Sequence, residues 1–253
     1  MMKKENRKIY YVFSPFLRMF HWPLVVSCAV LFVTGIFITH PISVMALEPT
    51  YTNMYTDLVR NIHLVAAFIF SASIMLRIYG FLINPGDRLM PRMWEGHFYR
   101  EVIDVSMHYQ FMKYEHRPYL RNPMARMSYG GFYVMAFVEI LTGFAIYYMD
   151  SNTWIADWIL SPINISNGGI YMSRLMHHYV AWFIILVAIG HIYMVFRADF
   201  MDGEGEASSM ISGIKIYRHT PDDVEELEEE GHSEEYWKRV NKKAAEERSK
   251  KGY

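Results

Sequence analysis

His177 and His191 stand 14 residues apart in a stretch, Met176 to Met194, that is almost wholly apolar between them. On an α-helix that spacing falls about 40° short of four full turns, so both imidazoles face one side, about 21 Å apart along the axis. Polar side chains held in lipid are costly and usually functional. One helix carrying two of them at that separation offers a ligand to each of two metal centres, one toward each membrane surface.

The elements that must position these ligands are legible in the hydropathy. The chain has 253 residues, 52% hydrophobic and 16% aromatic, with polar ends and loops. That is the profile of a multi-span membrane protein with soluble extensions. Four apolar runs predict spans over His21 to Thr39, Ile62 to Ile83, Met127 to Met149 and Arg174 to Phe196. Each is long enough for a hydrocarbon core of about 30 Å. Pro23 is expected in the first turn of the first span, where proline is tolerated. That run is followed by no small-residue cleavage site and reads as a retained span. Residues 1–20 read as a basic, aromatic entry segment, 41–60 and 150–173 as loops, and 84–125 as a polar stretch with a surface helix near Trp94 to Lys113. Arg77, near the end of the second span, is expected to snorkel to the headgroups. No internal repeat stands out. Residues 1–200 form the expected four-helix membrane domain and 201–253 a charged soluble tail, acidic over 222–235 and mixed basic over 238–251.

Lys and Arg number five before the first span and seven between residues 84 and 126, against one in each other loop, Arg60 and Arg174. The positive-inside rule then puts both termini and the middle loop in the cytoplasm. With that topology His21 and His191 lie toward the inner side and His63 and His177 toward the outer. Two pairs result at two depths, each drawn from two helices, as a cofactor bridged between helices requires.

The single cysteine, Cys28, allows neither an internal disulfide nor an iron–sulfur site. Paired imidazoles without thiolates or a carboxylate cluster also argue against a di-iron site. They suit axial ligation of haem, one imidazole above the ring and one below. Without Cys-x-x-Cys-His the haem is non-covalent, of b type. The expectation is an all-α, four-helix bundle binding two b haems through His21, His63, His177 and His191. Gly130, Gly131 and Gly143 give small faces for a helix or a flat ring. Arg18, Arg60, Arg174 and Arg197 are candidates to neutralise propionates. His178, about 100° round from His177, is a weaker ligand. His40, His97, His108, His116, His219 and His232 read as solvated. Glu139, buried in the third span, suits either a hydrogen-bonded bundle residue or a proton path. A reading from another class keeps the four spans and lets the histidines bind a transition metal or relay protons in a transporter. The near-zero net charge marks no nucleic-acid partner.

Several segments in order carry a resemblance: Arg18-Met19-Phe20-His21-Trp22, Arg60-Asn61-Ile62-His63, Met75-Leu76-Arg77-Ile78-Tyr79, Leu141-Thr142-Gly143-Phe144-Ala145, Gly190-His191-Ile192-Tyr193-Met194 and Ser208-Ser209-Met210-Ile211-Ser212-Gly213. Over about residues 8–218 the chain resembles the b-type cytochrome subunit of membrane-bound nickel–iron hydrogenases. The four histidines fall on that family's haem-ligand positions, His177 by its distance to Trp182. The resemblance implies a subunit of a hydrogen:quinone oxidoreductase in the bacterial inner membrane. Its partners would be an iron–sulfur small subunit and a nickel–iron large subunit, and its substrate a quinone, menaquinone or ubiquinone, bound near His21 and His191. Hydrogen chemistry would belong to the partner. A formate dehydrogenase or thiosulfate reductase cytochrome subunit would share the haems and change the partner. The His177-His178 doublet, Glu139 in a normally apolar stretch and the long charged tail depart from the family pattern.

Overall fold

The computed structural model describes residues 8–47, 49, 52–83, 91–112, 119, 121–201, 203, 205–217 and 246. The acidic tail segment, the basic one apart from residue 246, the breakers Asn84-Pro85-Gly86 and Arg117-Pro118, and His116, His219 and His232 lie outside them. In chain order the elements are β1 (Lys8–Tyr11), α1 (Pro15–Thr39), α2 (Ser43–Ala46), α3 (Met54–Ile83), α4 (Gly96–Tyr109), α5 (Pro123–Tyr147), a π-helical turn (Ala156–Leu160), α6 (Ser161–Ser166), α7 (Ile170–Met201), α8 (Glu206–Ser212) and β2 (Ile214–Tyr217). Among the described residues four helices, α1, α3, α5 and α7, are long and apolar enough to cross a membrane.

All four exist where hydropathy put them, but start earlier than expected. For α1 and α5 the reason is local chemistry that hydropathy ignores. Ser14 caps α1 by accepting the Leu17 N–H at 3.0 Å, and Pro15 takes the first helical position. Asn122 caps α5 in the same way, accepting from Met124 at 2.9 Å and Ala125 at 3.3 Å ahead of Pro123. A short polar cap followed by proline satisfies orphan N–H groups and pre-sets the backbone. Pro23 consequently lies inside α1 rather than in its first turn. The segment 41–60 is not all loop, since it holds α2 and the start of α3. The segment 150–173 is largely helical, with Trp154 and Trp158 exposed beside and on its π turn.

The chain divides into two compact units, and each long helix has residues in both. One unit comprises residues 20–77 and 131–188. Its apolar centre is Phe70, Ile74 and Ala136, with Leu24, Cys28, Leu31, Phe132, Tyr133 and Ile140 packed around them. Phe32 meets Trp182 edge-on at 5.2 Å, joining α1 to α7. Arg77 does not reach outward as expected. It hydrogen-bonds the Tyr133 phenol, and its Nη1 is buried. A guanidinium given a hydroxyl partner across the helix interface has no need of the headgroups.

The other unit comprises residues 1–19, 78–130 and 189–253. Here β1 and β2 pair antiparallel, with Lys8 opposite Tyr217 and Tyr11 opposite Ile214. The aromatic entry segment is therefore a strand and a helix start. Gly213 (φ +82°) ends α8 in the left-handed region, where a side chain would be strained, and its carbonyl accepts the Val12 N–H at 2.8 Å. Val12, Phe13, Leu17 and Tyr217 form one apolar cluster, and Val105, Tyr109, Tyr119 and Ala198 a second. The Tyr217 hydroxyl donates to the Tyr119 carbonyl at 2.8 Å. The surface helix is shorter than expected, and His108 is buried, not solvated: Phe98, Val105, His108 and Tyr109 share the packed face of α4.

Asn122→Ala removes the cap of α5 and should lower stability by about 1 kcal/mol. Detergent-unfolding midpoints of the two proteins would show it.

Candidate functional site

The site is clearest in the unit that holds His63, on α3, and His177, on α7. Each imidazole meets a Thr-Gly pair on a neighbouring helix. Nδ1 of His63 lies 2.8 Å from the Thr34 hydroxyl, and a Cβ on Gly35 would stand 3.6 Å from the same ring. Nδ1 of His177 lies 3.0 Å from the Thr142 hydroxyl, and a Cβ on Gly143 would stand 3.1 Å from its Cε1. The glycines let the rings lie against the helix backbone.

The direction of these bonds follows from the threonines. Thr34 donates its proton to the Val30 carbonyl at 2.7 Å, and Thr142 donates to the Val138 carbonyl at 2.7 Å. A hydroxyl has one proton, so toward histidine each oxygen acts as acceptor. Each imidazole must then carry its proton on Nδ1 and donate it. That fixes the tautomer and leaves the Nε2 lone pair for a metal. The two rings lie within electrostatic reach of one another. Two imidazoles from different helices, each with Nδ1 engaged by a threonine and Nε2 left available, form a donor set that would suit haem iron.

The halves of this site repeat each other. Thr-Gly occurs twice in the chain, and each time twenty residues after the capping residue: Ser14 to Thr34, and Asn122 to Thr142. The proline follows the cap in both, and the accepting carbonyl belongs to a valine in both. Helices α1 and α5 are thus repeats in register, a correction to the expectation of none. The signal is a handful of positions, too sparse to stand out beside the apolar filler.

One difference breaks the repeat. In α5, Glu139 places Oε2 2.6 Å from Nδ1 of His177. The residue three before the threonine is Leu31 in α1 and Glu139 in α5. The other carboxyl oxygen, Oε1, is buried with no hydrogen-bond partner among the described residues. His178 is engaged elsewhere, since its Nε2 accepts the indole N–H of Trp182 at 3.2 Å.

His191 and His21 belong to different units. His21 is half-buried, with its ring edge-on to Trp22 at 5.5 Å. His191 lies 6.3 Å from the Tyr129 ring and lines a cavity with Phe13, Tyr109, Arg121, Arg126 and Lys215. Arg121 and Arg126 are 6% and 5% exposed. These two guanidiniums are not among the arginines expected near the span ends, Arg18, Arg60, Arg174 and Arg197, none of which lines this cavity. Of those, Arg18 bonds the Ile211 carbonyl, and Arg60 is exposed beside Asp57. Arg174 is exposed near the Met149 sulfur, and Arg197 donates to the His108 carbonyl at 2.7 Å while stacking on Phe111. Position along the chain marked arginines near the span ends. It did not mark which of them face a cavity. Among the other histidines, His40 is exposed, and His97 is exposed beside Glu95.

The family model of the prokaryotic cytochrome b561 matches residues 12–213. The chain belongs to this family. Similar proteins include the probable Ni/Fe-hydrogenase 1 B-type cytochrome subunit of Escherichia coli K12, 30% identical over 85% of this chain and 94% of that protein. They also include the probable Ni/Fe-hydrogenase B-type cytochrome subunits of Cupriavidus necator, 28% identical over 85% of this chain and 90% of that one, and of Rhodobacter capsulatus, 25% identical over 85% and 84%. The resemblance read from the sequence stands. A b-type cytochrome carries haem b, and the donor set around His63 and His177 fits it.

Gly143→Ala crowds His177 at 3.1 Å, whereas Gly35→Ala makes an ordinary 3.6 Å contact with His63. Haem content, assayed as the pyridine haemochrome, should fall in the first variant and hold in the second. In the same assay His178→Ala should match the parent protein.

Proposed function

We propose that this protein is the dihaem cytochrome b subunit that anchors a nickel–iron hydrogenase in the bacterial inner membrane and delivers electrons from hydrogen to quinone. The observation that carries the reading is the pair His63 and His177, from two helices, with both Nδ1 protons held by threonine and both Nε2 atoms left for iron. The hydrogenase partner rests on what the similar proteins of Escherichia coli and Cupriavidus necator are named for. Bound haem b supplies one-electron exchange at its iron.

The chain's own residues divide the work. His63 and His177 hold the outer haem, and Thr34 and Thr142 orient them. His21 and His191 hold the inner haem, and α7 carries one ligand for each centre. Arg121 and Arg126, buried beside His191, suit the carboxylate edge of a porphyrin, since guanidinium and carboxylate pair in two parallel hydrogen bonds. The cavity at His191 also includes Phe13 and Tyr109, which supports a quinone site near the inner haem, where protons can be taken from the cytoplasm. The charge bias of the loops supports placing both termini in the cytoplasm. The hydrogenase then docks on the periplasmic side, through its iron–sulfur small subunit and nickel–iron large subunit.

His21→Ala and His191→Ala should each lose one haem and abolish hydrogen-dependent quinone reduction in the assembled complex. Hydrogen oxidation with an artificial dye should persist, because the dye takes electrons before they reach this subunit. Retention of full haem in both variants would reject the inner pair.

A further inference from the structure

Around the two threonines, from Val30 to Gly35 and from Val138 to Gly143, α1 and α5 match at every polar position but one. Thr34 and Thr142 make the same bonds to their own helices and to their own histidines. The glycines after them lie against the rings. Leu31 in α1 is replaced in register by Glu139 in α5, and only His177 gains a carboxylate on its Nδ1, at 2.6 Å.

A repeated scaffold with one charged substitution isolates what that substitution does. Glu139 adds nothing to the tautomer of His177, because the Thr142 hydroxyl already requires the proton on Nδ1. It changes the strength of the acceptor. A carboxylate accepts an N–H bond about twice as strongly as a neutral group does. A stronger acceptor behind a ligating imidazole makes Nε2 more basic toward the metal. The carboxyl is also buried, 11% exposed on its side chain, so its field acts through a weakly screening interior. Ferric haem carries one more positive charge at iron than ferrous haem. A more basic ligand and a nearby negative charge both favour the ferric form.

Resting on the reading that His63 and His177 hold one haem, we propose that Glu139 is a positioning and tuning residue that acts through His177 to lower the reduction potential of that haem. The two ligands are unequal: an imidazole from α3 backed by a threonine alone, and an imidazole from α7 backed by a threonine and a carboxylate. The same residue balances the charge that the ferric iron brings into an apolar bundle. Its neighbour Thr142 keeps the ring in place, so geometry and potential are set by separate side chains.

The test is a redox titration of the purified, haem-loaded full chain in detergent, followed at the reduced α band. Glu139→Gln keeps the shape and removes the charge. With haem content unchanged, the component that disappears in His177→Ala should move to higher potential while the other component stays, and Glu139→Asp should return most of the shift. Two unmoved potentials at full haem content would overturn the proposal, as would a shift confined to the other component. Near-infrared magnetic circular dichroism of the ferric wild-type protein serves if Glu139→Gln loses haem. The iron charge-transfer band moves to higher energy as an axial imidazole gains imidazolate character. Two bands of different energy support the proposal, and two coincident bands reject it. Full haem content in both His63→Ala and His177→Ala would instead remove the ligand assignment itself, and the proposal with it.

Discussion

A threonine hydroxyl with only one proton is the constraint on which the site depends. On a helix that proton goes to the carbonyl four residues back, as it does in Thr34 and Thr142. What remains toward the neighbouring helix is an oxygen lone pair. An imidazole that meets it must donate, and can donate only from the nitrogen that carries hydrogen. One intrahelical bond therefore sets the protonation pattern of a ring on a different helix. In water the same histidine would exchange tautomers freely. In an apolar bundle the alternative is an unsatisfied polar group, and the pattern holds.

The membrane setting explains why the polar residues of the spans turn inward. Lipid offers no partner to a charged or hydrogen-bonding side chain. Arg77 finds the Tyr133 phenol and Glu139 finds His177, while Ser71 and Ser73 return their protons to carbonyls of their own helix. The glycines serve the same end. At Gly143 the missing side chain lets an imidazole reach the hydroxyl beside it, since a Cβ there would stand 3.1 Å from the ring, whereas at Gly35 the 3.6 Å contact would be an ordinary one.

Outside the apolar core, long-range pairing organises the polar unit. A strand from the start of the chain and one from beyond α7 pair, and Gly213 turns the chain between α8 and that second strand. The cavity beside His191 is walled by residues from the approach to α1, from α4, α5 and α7, and from β2. No local signal announces it, because its lining comes from segments as distant as Phe13 and Lys215.

By itself the sequence determined the number and place of the long helices, and the helices on which the histidines lie. Hydropathy and helical period are local properties, and a run of about twenty apolar residues has few alternatives in lipid. The helix starts were also written locally, in Ser14-Pro15 and Asn122-Pro123, but as cap chemistry that hydropathy does not weigh. Only the tertiary structure decided which nitrogen of each imidazole is spent, that Arg77 and His108 are turned inward, that Arg121 and Arg126 rather than Arg18, Arg60, Arg174 and Arg197 line a cavity, and that Glu139 meets His177. Each of those outcomes depends on how closely two helices or two distant segments approach. That distance is set by the summed packing of many side chains, and it leaves no mark at any one position in the chain.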